Sequence, residues 1–360
     1  MSGLGYATRV VRSDTGAQVA LAEVADGCVA VSVWALDGDL RIVPATIASL
    51  TCRTARVHEL RLASGRTAAV ADDHQVLTRE GWMPVDALQI GTRVAVPRAV
   101  PDPVQPVWWP DDEVILLAHL LTDPAGRRRP LCYTTGDEAN ADAVEKAAAH
   151  FGVSPRRVCH GDFWRLYLPA PANLPKGDRH PVLGWLDRLG VARDPDEAHL
   201  PSAVFALDRR QLALFVRHLW AAGGVLRVGD GGQAVLSYAA TSRVMADDLQ
   251  AALARFGVAT RVRRARGPDS AWHVLVLGAE AQYRFVDEIG AYSGGGAVAQ
   301  RVARFLAATG DARLERRATT DIGWDVVTSV QQAGEQPVCR ARLVGPDEPA
   351  LLAGGIAVAG

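Results

Sequence analysis

Residues 56–97 read RVHELRLASGRTAAVADDHQVLTREGWMPVDALQIGTRVAVP, and this stretch decides the fold of the chain. Apolar and polar residues alternate along Val57–Leu62, Thr67–Val70 and Arg93–Val96, and glycines separate the three runs. Alternation with a period of two, broken by glycine, is typical of short β-strands joined by tight turns. The stretch therefore predicts part of an all-β domain.

A series of short motifs runs through the same stretch in one register. They are LASGR at 62–66, DH at 73–74, LT at 77–78, GW at 81–82 and VAVPR at 94–98. In this order they resemble the Hint fold of inteins, the self-splicing protein insertions. Upstream, VWALD at 33–37 is similar to the inteins of bacterial replicative DNA helicases. The resemblance implies an all-β, horseshoe-like Hint domain.

The composition is that of a folded protein without a strong overall charge. The chain has 360 residues, of which 49% are hydrophobic and 22% are charged, and it is long enough for two domains. Its 39 Lys and Arg residues against 40 Asp and Glu residues leave a net charge of -1. Because the whole chain does not attract nucleic acid, any DNA-binding face must be local.

The cysteines and the hydropathy pattern give an expectation about the compartment. No pair among Cys28, Cys52, Cys132, Cys159 and Cys339 has the Cys-x-x-Cys spacing of a zinc site, so we expect reduced thiols in a cytoplasmic protein. The sequence shows neither an N-terminal signal nor an apolar run of about 18 residues. We therefore expect no membrane partner, and a monomer.

Composition and periodicity divide the chain into four segments. Five prolines between positions 97 and 110 exclude a helix or a central strand and mark a boundary. Short strands fill the chain before them, helical periodicity follows them, and alternation returns near the end. We predict a first Hint part at 1–98, a linker at 99–110, an inserted α+β domain at 111–318 and a second Hint part at 319–360.

The inserted segment repeats one order of elements, a helix, two strands, a helix and two strands. The repeats cover about 111–200 and 201–300 and predict an internal pseudo-two-fold axis. Their first helices contain LLAHLLTDP at 116–124 and FVRHLWAAGG at 215–224. These motifs resemble the LAGLIDADG, or dodecapeptide (DOD-type), homing endonucleases that inteins commonly carry between their two splicing halves.

The endonuclease resemblance implies an acidic residue at the end of each motif helix, where two carboxylates hold Mg²⁺ for DNA hydrolysis. Asp123 occupies the first position, but Gly223 stands at the second. We therefore expect a chain that does not cleave DNA, with Asp123 as the remaining metal ligand. The alternative is a residual homing endonuclease that uses Mg²⁺ with Asp123 and a second acid such as Asp230.

DNA binding does not require the cleavage residues. The family lays a curved antiparallel sheet in the DNA major groove, and equivalent strands of the two repeats are basic here. We predict that these arginines bind double-stranded DNA; the alternative is a solvated sheet edge protected by charge against aggregation. The residues are Arg156 and Arg157 in the first repeat and Arg261, Arg263, Arg264 and Arg266 in the second.

Protein splicing, as the intein resemblance implies, needs a nucleophile at the first residue, a Thr-x-x-His element and a terminal His-Asn pair. Gly3 stands at the first position, and Ala71 replaces the threonine while His74 is retained. Ala359 and Gly360 stand at the terminal histidine and asparagine. Each step lacks its reacting group, and His74 is the one retained catalytic residue.

We therefore expect a stand-alone, degenerate intein-like protein that is defective in both splicing and DNA cleavage. It would be a pseudoenzyme whose remaining function is DNA binding. Two alternatives stay open: the residual metal-dependent endonuclease, and a protein-interaction module built on the Hint surface.

Overall fold

The computed structural model describes residues 3–27, 30–123, 130–175, 177–192, 194–228, 234–265, 271–290, 320–345 and 349–360. Pro124, Asp230 and Arg266 lie outside this part of the chain. Clustering of contacts divides the chain into two compact units. Unit 1 comprises Met1–Pro106, Leu253–Val262 and Arg316–Gly360, and unit 2 comprises Val107–Ala252 and Arg263–Glu315.

The N-terminal segment is built mainly of strands. They are β1 (Leu4–Gly5), β2 (Arg9–Val11), β3 (Gln18–Ala20), β4 (Val31–Leu36), β5 (Ile42–Leu62), β6 (Thr67–Ala71), β7 (Gln75–Thr78), β8 (Gly81–Pro84) and β9 (Arg93–Pro97). A 3₁₀ turn at Val85–Ala87 follows β8. The alternating runs in the stretch from 56 to 97 thus form the predicted strands.

The expectation that the first 55 residues contain only strands is wrong at a short helix, α1 (Leu21–Gly27). Leu21 and Val24 lie one helical turn apart and are both buried. The Glu23 carboxylate accepts a hydrogen bond from the backbone N–H of Ala20 at 3.3 Å, just before the helix. Seven residues are too few for a helical period to stand out in the sequence.

The middle of the chain alternates helices and short strands. In chain order they are α2 (Asp111–Thr122), β10 (Cys132–Thr135), α3 (Glu138–Ala149), β11 (Arg156–His160), β12 (Phe163–Tyr167), α4 (Pro181–Arg188), α5 (Ser202–Phe205), α6 (Arg209–Gly223), β13 (Gly224–Val228), β14 (Ala234–Ala240), α7 (Arg243–Ala254), β15 (Thr260–Arg264), β16 (Trp272–Val276) and α8 (Gly278–Arg284). A π-helical turn at Phe285–Ile289 continues α8. No helix in the described part of the chain is long and apolar enough to cross a membrane.

The last segment returns to strands, β17 (Ile322–Val344), β18 (Ala350–Ala353) and β19 (Ile356–Val358). The antiparallel sheet of unit 1 has the order β19-β7-β9-β17-β1-β6-β5-β4-β18-β2-β3, and β19 also pairs with β18. Its core consists of inward-facing aliphatic residues such as Leu4, Leu60, Val327 and Ile356. The sheet thus joins strands from both ends of the chain.

Two long strands replace several short ones that the sequence suggests. β5 and β17 pair along almost their whole lengths, from Val327↔Leu62 to Val344↔Thr46. Register shifts interrupt this ladder at three places, including one between Gln332 and Glu335. Because each strand satisfies the backbone groups of the other, residues with poor alternation still remain in extended conformation.

A disulfide joins Cys52 to Cys339 across directly opposed positions of β5 and β17. The expectation that all cysteines are reduced is therefore wrong for this pair. Cys132 and Cys159 are free thiols. The two bonded residues are 287 positions apart in sequence, and no local spacing reveals their pairing.

Unit 2 combines two small antiparallel sheets with helices. One sheet has the order β10-β12-β11 and the other β13-β14-β16-β15, where β15 up to Val262 is assigned to unit 1. The two motif helices, α2 and α6, pack against each other. The N–H of Gln211 at the start of α6 is capped by the Asp208 carboxylate at 2.7 Å.

Candidate functional site

The residues at the predicted splicing positions lie together in unit 1. The N–H of Ala71 donates to the carbonyl of Gly3 at 2.9 Å, and the N–H of His74 donates to the carbonyl of Ala71 at 3.0 Å. The N–H of Ala359 donates to the carbonyl of Gln75 at 3.0 Å. The main chain thus connects positions from the beginning, middle and end of the sequence through β1, β6, β7 and β19.

Gly3 is buried and closely surrounded. A Cβ atom on Gly3 would lie 2.9 Å from Cγ2 of Val338 and 3.4 Å from the carbonyl oxygen of Cys339. Any side chain here, including a nucleophilic one, needs Val338 to move. This position therefore lacks a reacting group and has no ready space for one.

His74 is the one residue of this group with a titratable side chain. It is 1% exposed, and neither ring nitrogen has a hydrogen-bond partner among the described residues. Burial, followed by the nearby charge of Arg340, lowers the pKa of His74 from 6.5 to about 4. The ring is therefore neutral at pH 7, and no neighbouring side chain fixes its tautomer.

The motif helices of unit 2 meet at a pair of histidines that the sequence does not single out as functional. His119 Nε2 lies 3.0 Å from His218 Nδ1, and His119 Nδ1 lies 2.9 Å from the hydroxyl of Tyr133. Burial and the partner histidine lower the pKa of His119 to about 3, and burial and Arg217 lower that of His218 to about 4. The pair is thus a neutral polar contact inside the helix interface.

The ends of the same helices carry the predicted cleavage positions. Asp123 follows α2, and one of its carboxylate oxygens accepts a hydrogen bond from the N–H of Thr134 at 2.9 Å. Gly223 ends α6, where a Cβ atom would lie 3.1 Å from Cε2 of Tyr238. Thus one end provides a carboxylate that already has a backbone partner, and the other provides none.

These residues do not fit a Mg²⁺ site. Divalent magnesium is usually held by one or two carboxylates with water and substrate oxygens, and the family arrangement requires one carboxylate from each helix. Within the described ranges no three His, Cys, Asp or Glu side chains are grouped to hold a metal ion. Asp123 alone does not form the shared centre.

The arginines of the first sheet divide between its two faces. Residues directly opposed on antiparallel strands share a face, so Arg157 lies on the side of buried Leu166. Its guanidinium contacts Asp142 at 2.7 Å and Glu138 at 3.3 Å, both on α3. Arg156 lies on the other, outward face and stacks over the ring of Tyr167.

Arg165 is a residue of the outward face that the sequence reasoning missed. It lies on β12 opposite Val158 and over the ring of Phe163, which is 37% exposed. His160 stacks on the same ring at the end of the hairpin. The register between β11 and β12 determines which face of the sheet Arg165 occupies. In the sequence, only its position next to the apolar Leu166 indicates that it lies on the outward face.

The second sheet shows the same division. Val274 and Tyr238 are opposed and buried, so Arg227 and His273, at alternate positions, lie on the outward face. Within β15, Arg261 and Arg263 are exposed and alternate with buried Val262. Arg264 lies on the opposite face of β15, with its guanidinium over the ring of Trp272.

Comparison with known protein families finds a match in the second half of the middle segment. Residues 210–290 match the family model of the LAGLIDADG-like domain, which covers α6 to the end of α8 and its π-helical turn. The replicative DNA helicase DnaB of Synechocystis is 30% identical over 272 residues, and that of Rhodothermus marinus is 33% identical over 274 residues. Each match covers 72% of this chain. The chain is a relative of DnaB-type inteins that carry a LAGLIDADG-like domain.

The chain spans only part of the length of these helicases. The intein-related chain spans 31% of the Synechocystis helicase and 29% of the Rhodothermus helicase.

Similar solved structures include a variant of the Ssp DnaB mini-intein, with a TM-score of 0.38, 10% identity and coverage of 100% of this chain and 99% of that one. The structure of I-DmoI with DNA and manganese has a TM-score of 0.34 and 12% identity over 50% of this chain and 98% of its own. At these scores the structural likeness carries no argument about function.

Proposed function

We propose that this intein-like protein has lost the chemistry of both family activities and retains binding to double-stranded DNA through the outward faces of unit 2. We also propose that its LAGLIDADG-like domain interrupts a Hint domain and contains two related repeats. The observation that carries the binding proposal is the sorting of arginines. Arg156, Arg165, Arg227 and Arg263 face outward, whereas Arg157 and Arg264 contact other side chains on the opposite faces.

The loss of splicing follows from the groups present at the site. The first acyl shift requires a thiol or hydroxyl, and Gly3 has no side chain. Release of the C-terminal end requires cyclisation of an asparagine, and neither Ala359 nor Gly360 has the side-chain amide that this step uses. His74 can exchange a proton, but the nucleophile and the asparagine whose reactions need this proton transfer are missing.

The loss of cleavage follows in the same way. Hydrolysis of a phosphodiester in this family depends on metal ions shared by two carboxylates. Gly223 provides no oxygen ligand, and a backbone N–H already bonds to the carboxylate of Asp123. We therefore assign no catalytic step to Asp123.

DNA binding remains because it depends on charge and shape rather than on the two carboxylates. Arg156, Arg165, Arg227 and Arg263 form no ion pair with a carboxylate within the described part of unit 2, so their charges are available to phosphates. A guanidinium forms bidentate hydrogen bonds with phosphate oxygens or with the edge of guanine in the major groove. The outward faces can thus supply both affinity and base recognition.

An electrophoretic mobility shift assay tests this function. The probes are duplexes that span a helicase-gene insertion site and scrambled duplexes of the same length, each with and without Mg²⁺. We expect a specific shift without cutting. Cutting in Mg²⁺ would instead establish the residual endonuclease, and no shift at low salt would contradict the proposal.

A set of charge variants locates the binding face. Arg156→Gln/Arg165→Gln and Arg227→Gln/Arg263→Gln should each weaken binding about tenfold and reduce the salt slope by about two. The matched control is Arg188→Gln/Arg284→Gln, which removes the same charge from α4 and α8. Equal weakening by the control would show that only the total charge matters.

A further inference from the structure

A groove in unit 1 adjoins the predicted splicing positions, since Ala359 and Gly360 are among its lining residues. It encloses about 760 Å³ and lies between β5 and β17 on one side and the β7–β8 hairpin on the other. Arg340, Arg342, Ser49, Thr51 and Trp82 line it. Its described lining contains no acidic side chain.

The two arginines occupy one face of a regular ladder. Arg340 is opposed to Thr51, and Arg342 is opposed to Ser49, so two guanidinium groups and two hydroxyl groups share that face. All four residues are exposed. Neither arginine has an ion pair within the described part of the chain. The groove therefore presents two positive charges with adjacent hydrogen-bonding groups, and its described lining contributes no acidic side chain.

The spacing of these charges indicates the shape of an occupant. Residues two apart on one strand lie about 6.6–6.8 Å apart. Carboxylates at alternate positions of an extended peptide have the same spacing, so one such segment can pair with both arginines at once. Trp82 is 44% exposed and provides an apolar surface at the groove for a neighbouring side chain.

We propose that this groove binds an extended peptide segment with acidic side chains at alternate positions. Arg340 and Arg342 pair with the two carboxylates, Thr51 and Ser49 donate hydrogen bonds to the same groups, and Trp82 packs on an apolar residue of the peptide. A charge-assisted pair is directional and stronger than a neutral hydrogen bond, which favours this register over a slipped one. The site is independent of the proposed DNA-binding faces because it lies wholly in unit 1.

Fluorescence anisotropy with the full chain tests the proposal. The probe is a fluorescein-labelled peptide of sequence Glu-Val-Glu-Val-Glu-Val, and the comparison peptide is Glu-Glu-Glu-Val-Val-Val. We expect the alternating peptide to bind at least several-fold more tightly. Equal binding of both peptides, or no saturable binding of either at low salt, would overturn the proposal.

Variants distinguish this groove from general attraction to a basic surface. Arg340→Gln/Arg342→Gln should weaken binding of the alternating peptide roughly tenfold. The control, Arg79→Gln/Arg93→Gln, removes the same charge from exposed positions of unit 1 outside the groove lining and should leave it unchanged. Equal loss in the control would contradict the assignment, as would displacement of the peptide by equimolar single-stranded DNA. Circular dichroism checks that each variant is folded.

Discussion

At the scale of single residues, His74 is a buried histidine whose ring nitrogens have no hydrogen-bond partner among the described residues. Its neutral ring is enclosed with two unsatisfied nitrogens, and such burial costs free energy unless a hydrogen bond compensates. The intein resemblance implies a catalytic role at this position, but no hydrogen bond from the described residues orients the ring. We therefore expect the ring to lower the stability of unit 1.

Replacement of His74 should accordingly stabilise the protein. We expect His74→Leu to raise the free energy of unfolding by about 1–3 kcal/mol at pH 7.5, because the substitution removes two buried groups without hydrogen bonds. Thermal or urea unfolding measures the change. His160→Leu, at an exposed position, is the control. A loss of stability in His74→Leu would show that the imidazole makes a favourable interaction.

The same residue predicts a dependence on pH. The folded state lowers the pKa of His74 from 6.5 to about 4, so the folded state binds the proton less well than the unfolded state does. Above pH 6.5 the group is neutral in both states and its titration does not change the free energy of unfolding. As the pH falls towards 4, protonation of the unfolded state lowers the free energy of unfolding. The difference in stability between His74→Leu and the parent protein should therefore grow between pH 7 and pH 4.5. A constant difference would contradict this account.

Gly223 allows a test of the proposed loss of cleavage. Gly223→Asp supplies the missing carboxylate, but its Cβ atom would lie 3.1 Å from the ring of Tyr238, which is 4% exposed. We expect the single variant to lose about 1 kcal/mol of stability and to remain inactive in a Mg²⁺-dependent plasmid cleavage assay. Cleavage that disappears on adding Asp123→Asn would show instead that the two carboxylates suffice.

At the scale of elements, the helix pair α2 and α6 depends on a polar contact inside an apolar interface. His119 is fully buried and bonds to both His218 and Tyr133. His218→Leu leaves Nε2 of His119 without this partner and should cost about 1–3 kcal/mol. His119→Leu/His218→Leu should cost less than the sum of the single variants. A double-mutant cycle by urea unfolding measures the coupling, and strict additivity would contradict it.

The sequence predicts the helices and strands that local patterns determine. It predicts much less about which strands pair with each other. β2 and β11 occur where alternation indicates them, and α2 begins at the acidic residues that favour a helix N-terminus. The fusion of several short runs into β5 and β17 is not predictable, since each strand depends on a partner about 280 residues away. The motifs likewise predict His74 and Asp123, but the outward facing of Arg165 depends on the β11–β12 register.

At the scale of the whole molecule, the disulfide between Cys52 and Cys339 connects the N-terminal and C-terminal parts of unit 1. Every residue of unit 2 lies between these two cysteines in sequence. A single cut within unit 2 would therefore separate the chain into fragments that the disulfide still joins. The paired strands β5 and β17 bring the sulfur atoms together without any contribution from local sequence.

An engineered protease site tests this connection. A cleavage sequence inserted between Ala172 and Asn173, both exposed, allows one cut in unit 2. On a non-reducing denaturing gel, we expect the cut protein to run as one species, and to give two fragments after reduction. Cys52→Ser/Cys339→Ser is the control and should give two fragments under both conditions. Two fragments from the unreduced parent protein would show that the thiols are free, as the cysteine spacing alone indicates, and that noncovalent contacts such as the β5–β17 ladder join the two parts of unit 1.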